Sequence, residues 1–157
     1  MNALCLSEAL TRLGVANTVF SAQEMNRFTR LYTADAARAC LNAGGVALLS
    51  GGTGNPFFTT DTGAALRAAE LNCEAVFKGT TVRGVFDKDP NKYPGAVFLP
   101  EITYADCLQK GIRVMDATAF QICMERGVQE IRVFDMGDLE NVVKVARGEA
   151  IGSRVHA

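Results

Sequence analysis

Two stretches carry residue types suited to phosphate and nucleoside chemistry. The first, Gly51-Gly-Thr-Gly-Asn-Pro-Phe-Phe-Thr-Thr-Asp61, follows the apolar run Val46-Ala-Leu-Leu-Ser50. Glycines 51, 52 and 54 permit positive φ and let a ligand approach the backbone, exposing successive N–H groups. Thr53, Thr59 and Thr60 add hydroxyls, and a helix starting near Thr62 adds unpaired N–H groups and the positive end of its dipole. This set suits a phosphate, but it also describes a Gly-rich turn followed by a threonine cap. It is not G-x-x-x-x-G-K-[ST], so it is not a Walker P-loop. Of Phe57 and Phe58, one ring can enter the core while the other lines a base or sugar pocket, or both can simply fill core. Asp61 is either a helix cap or a carboxylate that orients a lysine or a Mg²⁺-bound phosphate.

The second stretch is Lys78-Gly-Thr-Thr-Val-Arg-Gly-Val-Phe-Asp-Lys-Asp-Pro90. Lys78, read at the end of a buried strand, either holds a phosphate or snorkels to solvent. Thr80, the Phe86 ring and Asp89 suit the hydroxyls and flat face of a nucleoside, although Asp89-Pro90 is also an ordinary turn signal.

Strands and helices must place these residues. Leu4, Leu6, Ala9, Leu10 and Leu13 mark a helical stripe that starts almost at Met1 without a polar cap. Asn17 to Phe20 reads as a strand, while Ser21 to Tyr32 has no clear period. Thr33 caps a helix to about Asn42, with Ala36, Ala37 and Leu41 on its apolar face. Gly44-Gly45 ends it, and Val46 to Leu49 is a buried strand feeding the first loop. Thr60 or Asp61 caps a helix to about Leu71, and Glu74 to Lys78 is another buried strand. A polar loop runs from Gly79 to Pro94. Thr103-Tyr-Ala-Asp106 resembles a capping box, and Asp116 caps a helix to about Arg126. Glu130 to Phe134 is a strand, and Asp138 opens a last helix to Arg147. This alternation predicts an α/β layer structure with a mostly parallel sheet, in which ligands gather at the carboxyl ends of strands. The first loop occupies that position.

At 157 residues the chain fits one ordinary domain. A net charge of −1 and 48% hydrophobic residues fit a globular body and argue against nucleic acid or an anionic membrane as partner. The apolar runs fall far short of the roughly 20 residues that span a bilayer, and no basic-plus-apolar leader is visible, so the expected location is the cytoplasm. Five scattered cysteines without C-x-x-C argue against a disulfide framework or zinc site and read as buried helix-face thiols. The single histidine, His156, is placed where chains fray, which argues against Ser-His-Asp or Cys-His chemistry.

Together, the two stretches resemble the bacterial uridylate (UMP) kinases of the amino acid kinase superfamily. Gly52 to Asp61 is similar to that family's uridine-nucleotide loop almost letter for letter. Further matches follow in order: Lys78-x-Thr80-x-Val82-x-Gly84-Val85-Phe86-x-x-Asp89-Pro90, Ile102-Thr103-Tyr104, Val114-Met115-Asp116-Ala117, Ile131-Arg-Val-Phe134 and Gly148-Glu149-x-Ile151-Gly152. The resemblance implies a three-layer αβα sandwich, a hexameric homo-oligomer, Mg²⁺-dependent transfer of the ATP γ-phosphate to UMP, and GTP and UTP as effectors. It implies UMP contacts by Thr53, Gly54, Asn55, Pro56, Phe57, Phe58, Thr59 and Thr60. It places Thr80, Phe86 and Asp89 at the ATP site, with Asp61 and Lys78 as the catalytic pair.

The departures are Arg83 where the family has Asp, Asp135 where it has Asn, and Ser153 where it has Thr. The family's leading strand, Lys-Leu-Ser-Gly loop and Gly-Gly-Gly-Asn loop have no counterpart, and Met1-Asn-Ala-Leu resembles an internal family segment. The resemblance thus implies that residues 1–157 form a single domain equal to the C-terminal two-thirds of the fold, with little or no kinase activity by itself. Two alternatives stand beside it: a non-catalytic nucleotide-binding or regulatory subunit, and an amino acid kinase acting on a carboxylate or carbamate.

Overall fold

The computed structural model describes all of residues 1–157 and divides them into two compact units, Met1–Gly63 and Ala64–Ala157. The first unit contains α1 (Asn2–Arg12), β1 (Asn17–Ser21), β2 (Arg30–Leu31), α2 (Ala34–Asn42) and β3 (Val46–Ser50), and α3 (Thr60–Leu71) runs across the boundary. Its three strands are parallel in the order β2-β1-β3, with Asn17 opposite Val46 and Ser21 opposite Ser50. β2 lies in the segment without a readable period, because a two-residue strand is too short to show one. The unit's core is small: Phe20 and Ala37 are fully buried, and the Phe20 ring meets Tyr32 edge-on at 6.5 Å. The Thr33 hydroxyl caps α2 by accepting from the Ala36 N–H, as predicted.

Several apolar residues expected inside are not. In α1 no residue is buried, and Leu6 and Leu13 are exposed. Leu41 is exposed as well, and Val46 and Leu49 of β3 are each 37% exposed because β3 is the last strand on its side of the sheet. An edge strand has cross-strand side-chain neighbours on one side only, so its side chains on either face are less covered.

The second unit contains β4 (Ala75–Thr80), β5 (Val85–Phe86), β6 (Phe98–Leu99), β7 (Glu101–Thr103), α4 (Tyr104–Gln109), α5 (Ala117–Arg126), β8 (Glu130–Asp135), α6 (Glu140–Ala146) and β9 (Ser153–His156). The sheet order is β4-β8-β9-β7. β4 runs parallel to β8 and β7 parallel to β9, while β8 and β9 are antiparallel. The fold is therefore α/β with mostly parallel pairing. Thr103 and Asp116 cap α4 and α5 through the Asp106 and Ala119 N–H groups. Ile131, Val133 and Val155 of the sheet pack with Tyr104, Cys107, Phe120 and Cys123 of the helices. Burial pushes the Cys107 and Cys123 thiols up to about 11, so these two are inert core thiols. Cys5 is exposed, contrary to the expectation of buried thiols.

Three further expectations change here. β4 is an edge strand and not a buried one, and its Phe77 is 47% exposed. The polar loop from Gly79 holds half of a hairpin, because β5 pairs antiparallel with β6. His156 does not fray: it lies in β9 opposite Glu130 and Thr103, with Nε2 3.3 Å from Glu101 Oε1.

The polar ladder on these strands gives a pH prediction. Burial disfavours the Glu130 charge, but hydrogen bonds from Arg132 and Arg154 outweigh it and hold the carboxyl below its ordinary 4.5. A depressed folded pKa means that the ladder's contribution is present above the unfolded pKa and is lost as pH falls through the folded one. Glu130→Gln therefore lowers stability at pH 7 and flattens its acid dependence below about 4.5. Urea melts of both proteins between pH 7 and 3 check this: a constant difference at every pH would refute the assignment.

Candidate functional site

The first loop hangs between β3 and α3. Gly51, Gly52 and Gly54 all have positive φ (81°, 59° and 79°), as the sequence led us to expect. The turn is closed by the Gly54 N–H donating to the Gly51 carbonyl at 3.0 Å, and the Thr53 hydroxyl accepts from the Asn55 N–H at 3.1 Å. Helix α3 packs directly on this turn, since a Cβ on Gly63 would lie 3.0 Å from Gly52 Cα.

Capping is shifted by one residue from the expectation. Thr59, not Thr60 or Asp61, is the cap, accepting from the Thr62 N–H through Oγ1 and from the Gly63 N–H through its carbonyl. Helix α3 therefore starts at Thr60, two residues before the expected Thr62, with Thr60 exposed and Asp61 in the first turn, next to the positive end of the helix dipole. Neither phenylalanine enters the core: Phe57 is fully exposed with φ 70°, and Phe58 is 54% exposed. A left-handed backbone at a bulky residue is an outlier, and such outliers cluster at ligand clamps. Pro56, Phe57 and Phe58 thus form an uncovered arm beyond the anchored turn.

The second stretch builds one wall of a cavity of about 530 Å³ within the second unit. Lys78, Thr80, Phe86 and Asp89, the four residues singled out in this stretch of the sequence, all line it. Lys78 is half-buried within β4 and donates from Nζ to the Val114 carbonyl at 2.7 Å. Its ammonium is thereby held at the cavity wall and does not trail into solvent. Phe86 belongs to the β5–β6 hairpin, where its ring meets Phe98 edge-on at 5.5 Å and the Arg83 guanidinium lies 3.9 Å from the Phe98 centroid. Asp89 is also a turn former: its Oδ1 accepts from the Asn91 N–H at 3.0 Å and its Oδ2 lies 3.7 Å from Lys92 Nζ.

The cavity is also lined by Gly111, Ile112, Arg113 and Val114, from the segment between α4 and α5. Lys88, Lys92, Tyr93 and Arg113 line the cavity without having been singled out in the sequence. Their signal was weak, since lysines in a polar loop and one arginine after a helix-ending glycine look like ordinary surface. With Lys78 they bring four cations to the cavity against the carboxylates of Asp87 and Asp89. This excess of positive charge beside the Phe86 and Tyr93 rings suits a ligand that carries both negative charge and a flat apolar face. No group of three His, Cys, Asp or Glu side chains converges to hold a metal ion.

The sequence profile of the amino acid kinase family matches residues 1–135. The uridylate kinase of Bacteroides thetaiotaomicron is 44% identical over 156 residues, covering 99% of this chain and 66% of that protein. Among solved structures, UMP kinase from Ureaplasma parvum superposes with a TM-score of 0.91 at 33% identity, covering 99% of this chain and 66% of that one. UMP kinase from Bacillus anthracis gives 0.91 at 28% identity, with 99% and 64% covered. The chain thus spans about two-thirds of the length of these relatives.

Proposed function

The chain belongs to the amino acid kinase family, and from that premise we propose that it handles the two nucleotides of a uridylate kinase. In this reading the Gly51–Thr60 loop takes the phosphate and sugar of UMP, and the cavity of the second unit takes ATP. The observation that carries the reading is the convergence of Lys78, Thr80, Phe86 and Asp89 on one cavity.

The reaction is transfer of the ATP γ-phosphoryl group to UMP, giving UDP and ADP, and it depends on positioning and charge neutralisation. Lys78 neutralises phosphate charge, Phe86 offers its ring to the base, and Thr80 and Asp89 meet polar groups of the nucleoside. Thr53 and Thr60 donate to UMP, and Asp61 orients the groups around the acceptor phosphate. Mg²⁺ supplies charge neutralisation when it arrives on ATP. Asp87 and Asp89 are the cavity carboxylates that would hold it beside the phosphates. Control by GTP and UTP, hexameric assembly and a cytoplasmic location belong to the same reading. No helix is long and apolar enough to cross a membrane.

Calorimetric titration with UMP and, separately, Mg-ATP tests the assignment, followed by a coupled ADP-release assay on the same sample. Lys78→Met is expected to weaken Mg-ATP binding roughly tenfold or more, the effect of losing one charge-assisted contact. Thr60→Ala is expected to weaken UMP binding about three- to tenfold while sparing Mg-ATP. A folded sample that binds neither nucleotide would sink the assignment.

A further inference from the structure

The anchored half of the Gly51–Thr60 loop is tied to a residue from a distant part of the sequence. Gln23 follows β1 and is itself exposed, yet its Nε2 donates to the Gly54 carbonyl at 2.7 Å, across 31 residues of sequence. Its backbone is fixed by the sheet: the Gln23 N–H donates to the Ser21 hydroxyl at 3.2 Å, and the neighbouring Ala22 N–H donates to the Ser50 carbonyl at 3.0 Å. Gly54 is bare where this contact forms, since a Cβ there would stand 3.1 Å from Ala22 Cβ and 3.3 Å from Gln23 Nε2. Beyond Gly54 the Phe57 and Phe58 side chains reach into solvent.

We propose that Gln23 is the positioning residue of the acceptor loop, its amide fixing the Gly54 peptide so that the Gly51–Asn55 turn is shaped before a nucleoside monophosphate binds. The inference rests on the UMP reading of that loop. Its physical basis is preorganisation. A hydrogen bond that fixes the turn in the free protein removes part of the ordering otherwise charged against binding. The bond also turns the Gly54 carbonyl toward Gln23, so an acceptor does not face an incoming phosphate. A neutral side chain of the same length without a donor would free that carbonyl.

The test uses Gln23→Met, which keeps length and loses the donor, and Gln23→Lys, which restores a donor. Two readouts are taken: UMP titration by calorimetry, and amide hydrogen exchange over residues 51–56 in the ligand-free protein. The expected result for Gln23→Met is UMP affinity weaker by about three- to tenfold. Exchange at the Gly54 and Asn55 amides should also be faster, with Mg-ATP affinity and melting temperature unchanged. Gln23→Lys should return exchange to the wild-type rate, which a merely space-filling role would not require. Wild-type UMP affinity and exchange in Gln23→Met overturn the proposal, as does a Lys variant that exchanges as fast as the Met variant. Faster exchange in Gln23→Met, together with no UMP uptake by the wild-type protein, upholds the clip and removes the nucleotide reading of the loop.

Discussion

Gly152→Ala is expected to cost roughly 2–6 kcal/mol, enough to unfold much of a marginally stable domain at 37 °C. Two effects add. Gly152 has φ +73°, a left-handed conformation that L side chains resist. An added Cβ would also stand 2.0 Å from the Val133 carbonyl oxygen, which is backbone and cannot step aside without breaking the β8–β9 pairing of Ser153 with Val133. Gly148 separates the two effects, because its φ is +85° with nothing within 4 Å of the added carbon. Gly148→Ala should cost only the conformational share, about 1–2 kcal/mol. Gly95→Ala, open and without positive φ, should be close to neutral. Denaturant melts of the three variants give the ranking, and equal losses at Gly152 and Gly148 would show that the contact with Val133 does not matter.

That position shows where local sequence stops being informative. The helices were legible because their signals are local: Thr33, Thr103 and Asp116 each cap the turn that follows them. β2, β5 and β6 have two residues each and carry no period to read. β9 near the C-terminus looked like a fraying end, yet it is an interior strand of its sheet because β8 and β7 flank it. Burial failed for a related reason. Phe77 and Val46 look like core residues, but sheet order places β4 and β3 at the edges of their sheets, and order is a long-range property. The Thr59 cap was missed by one position, where three hydroxyl or carboxylate residues in a row offer equivalent caps.

The candidate site divides along the same line. Thr80, Phe86 and Asp89 fall within ten residues of one another, so their chemistry could be read as a unit, and they do share a cavity. Arg113 and Gln23 come from other parts of the chain, and only the fold shows what they stand beside. Neither type of residue suggests a role by itself. A lone surface glutamine becomes informative when its amide is found on the carbonyl of a glycine 31 residues away.

Replacing Ser153 by valine should loosen the hairpin that helps line the cavity of the second unit, the ATP site of the proposed reading. Ser153 is fully buried, and its hydroxyl accepts from the Val85 N–H at 2.8 Å while donating to the Leu99 carbonyl at 2.6 Å. Those two groups belong to β5 and β6, so one side chain of β9 pins both strands of the hairpin that carries Phe86. Gly84 makes room for it, since a Cβ there would lie 2.4 Å from the hydroxyl oxygen. Valine has the shape of threonine without its hydroxyl, so beyond the added methyl it leaves a buried N–H and a buried carbonyl unpaired, each at about 1–3 kcal/mol, for a loss of roughly 2–6 kcal/mol. Because the hairpin then has to be ordered on binding, Mg-ATP affinity should fall about tenfold while UMP affinity stays within threefold. Ser153→Thr keeps the hydroxyl and should retain most of the Mg-ATP affinity, with only the cost of one extra methyl in a packed site. Calorimetry with both nucleotides and thermal melts on the two variants decide the matter. If valine lowers stability without touching Mg-ATP affinity, Ser153 holds the fold together but does not shape the cavity. If threonine is as damaging as valine, packing at Gly84 and not hydrogen bonding sets the hairpin's position.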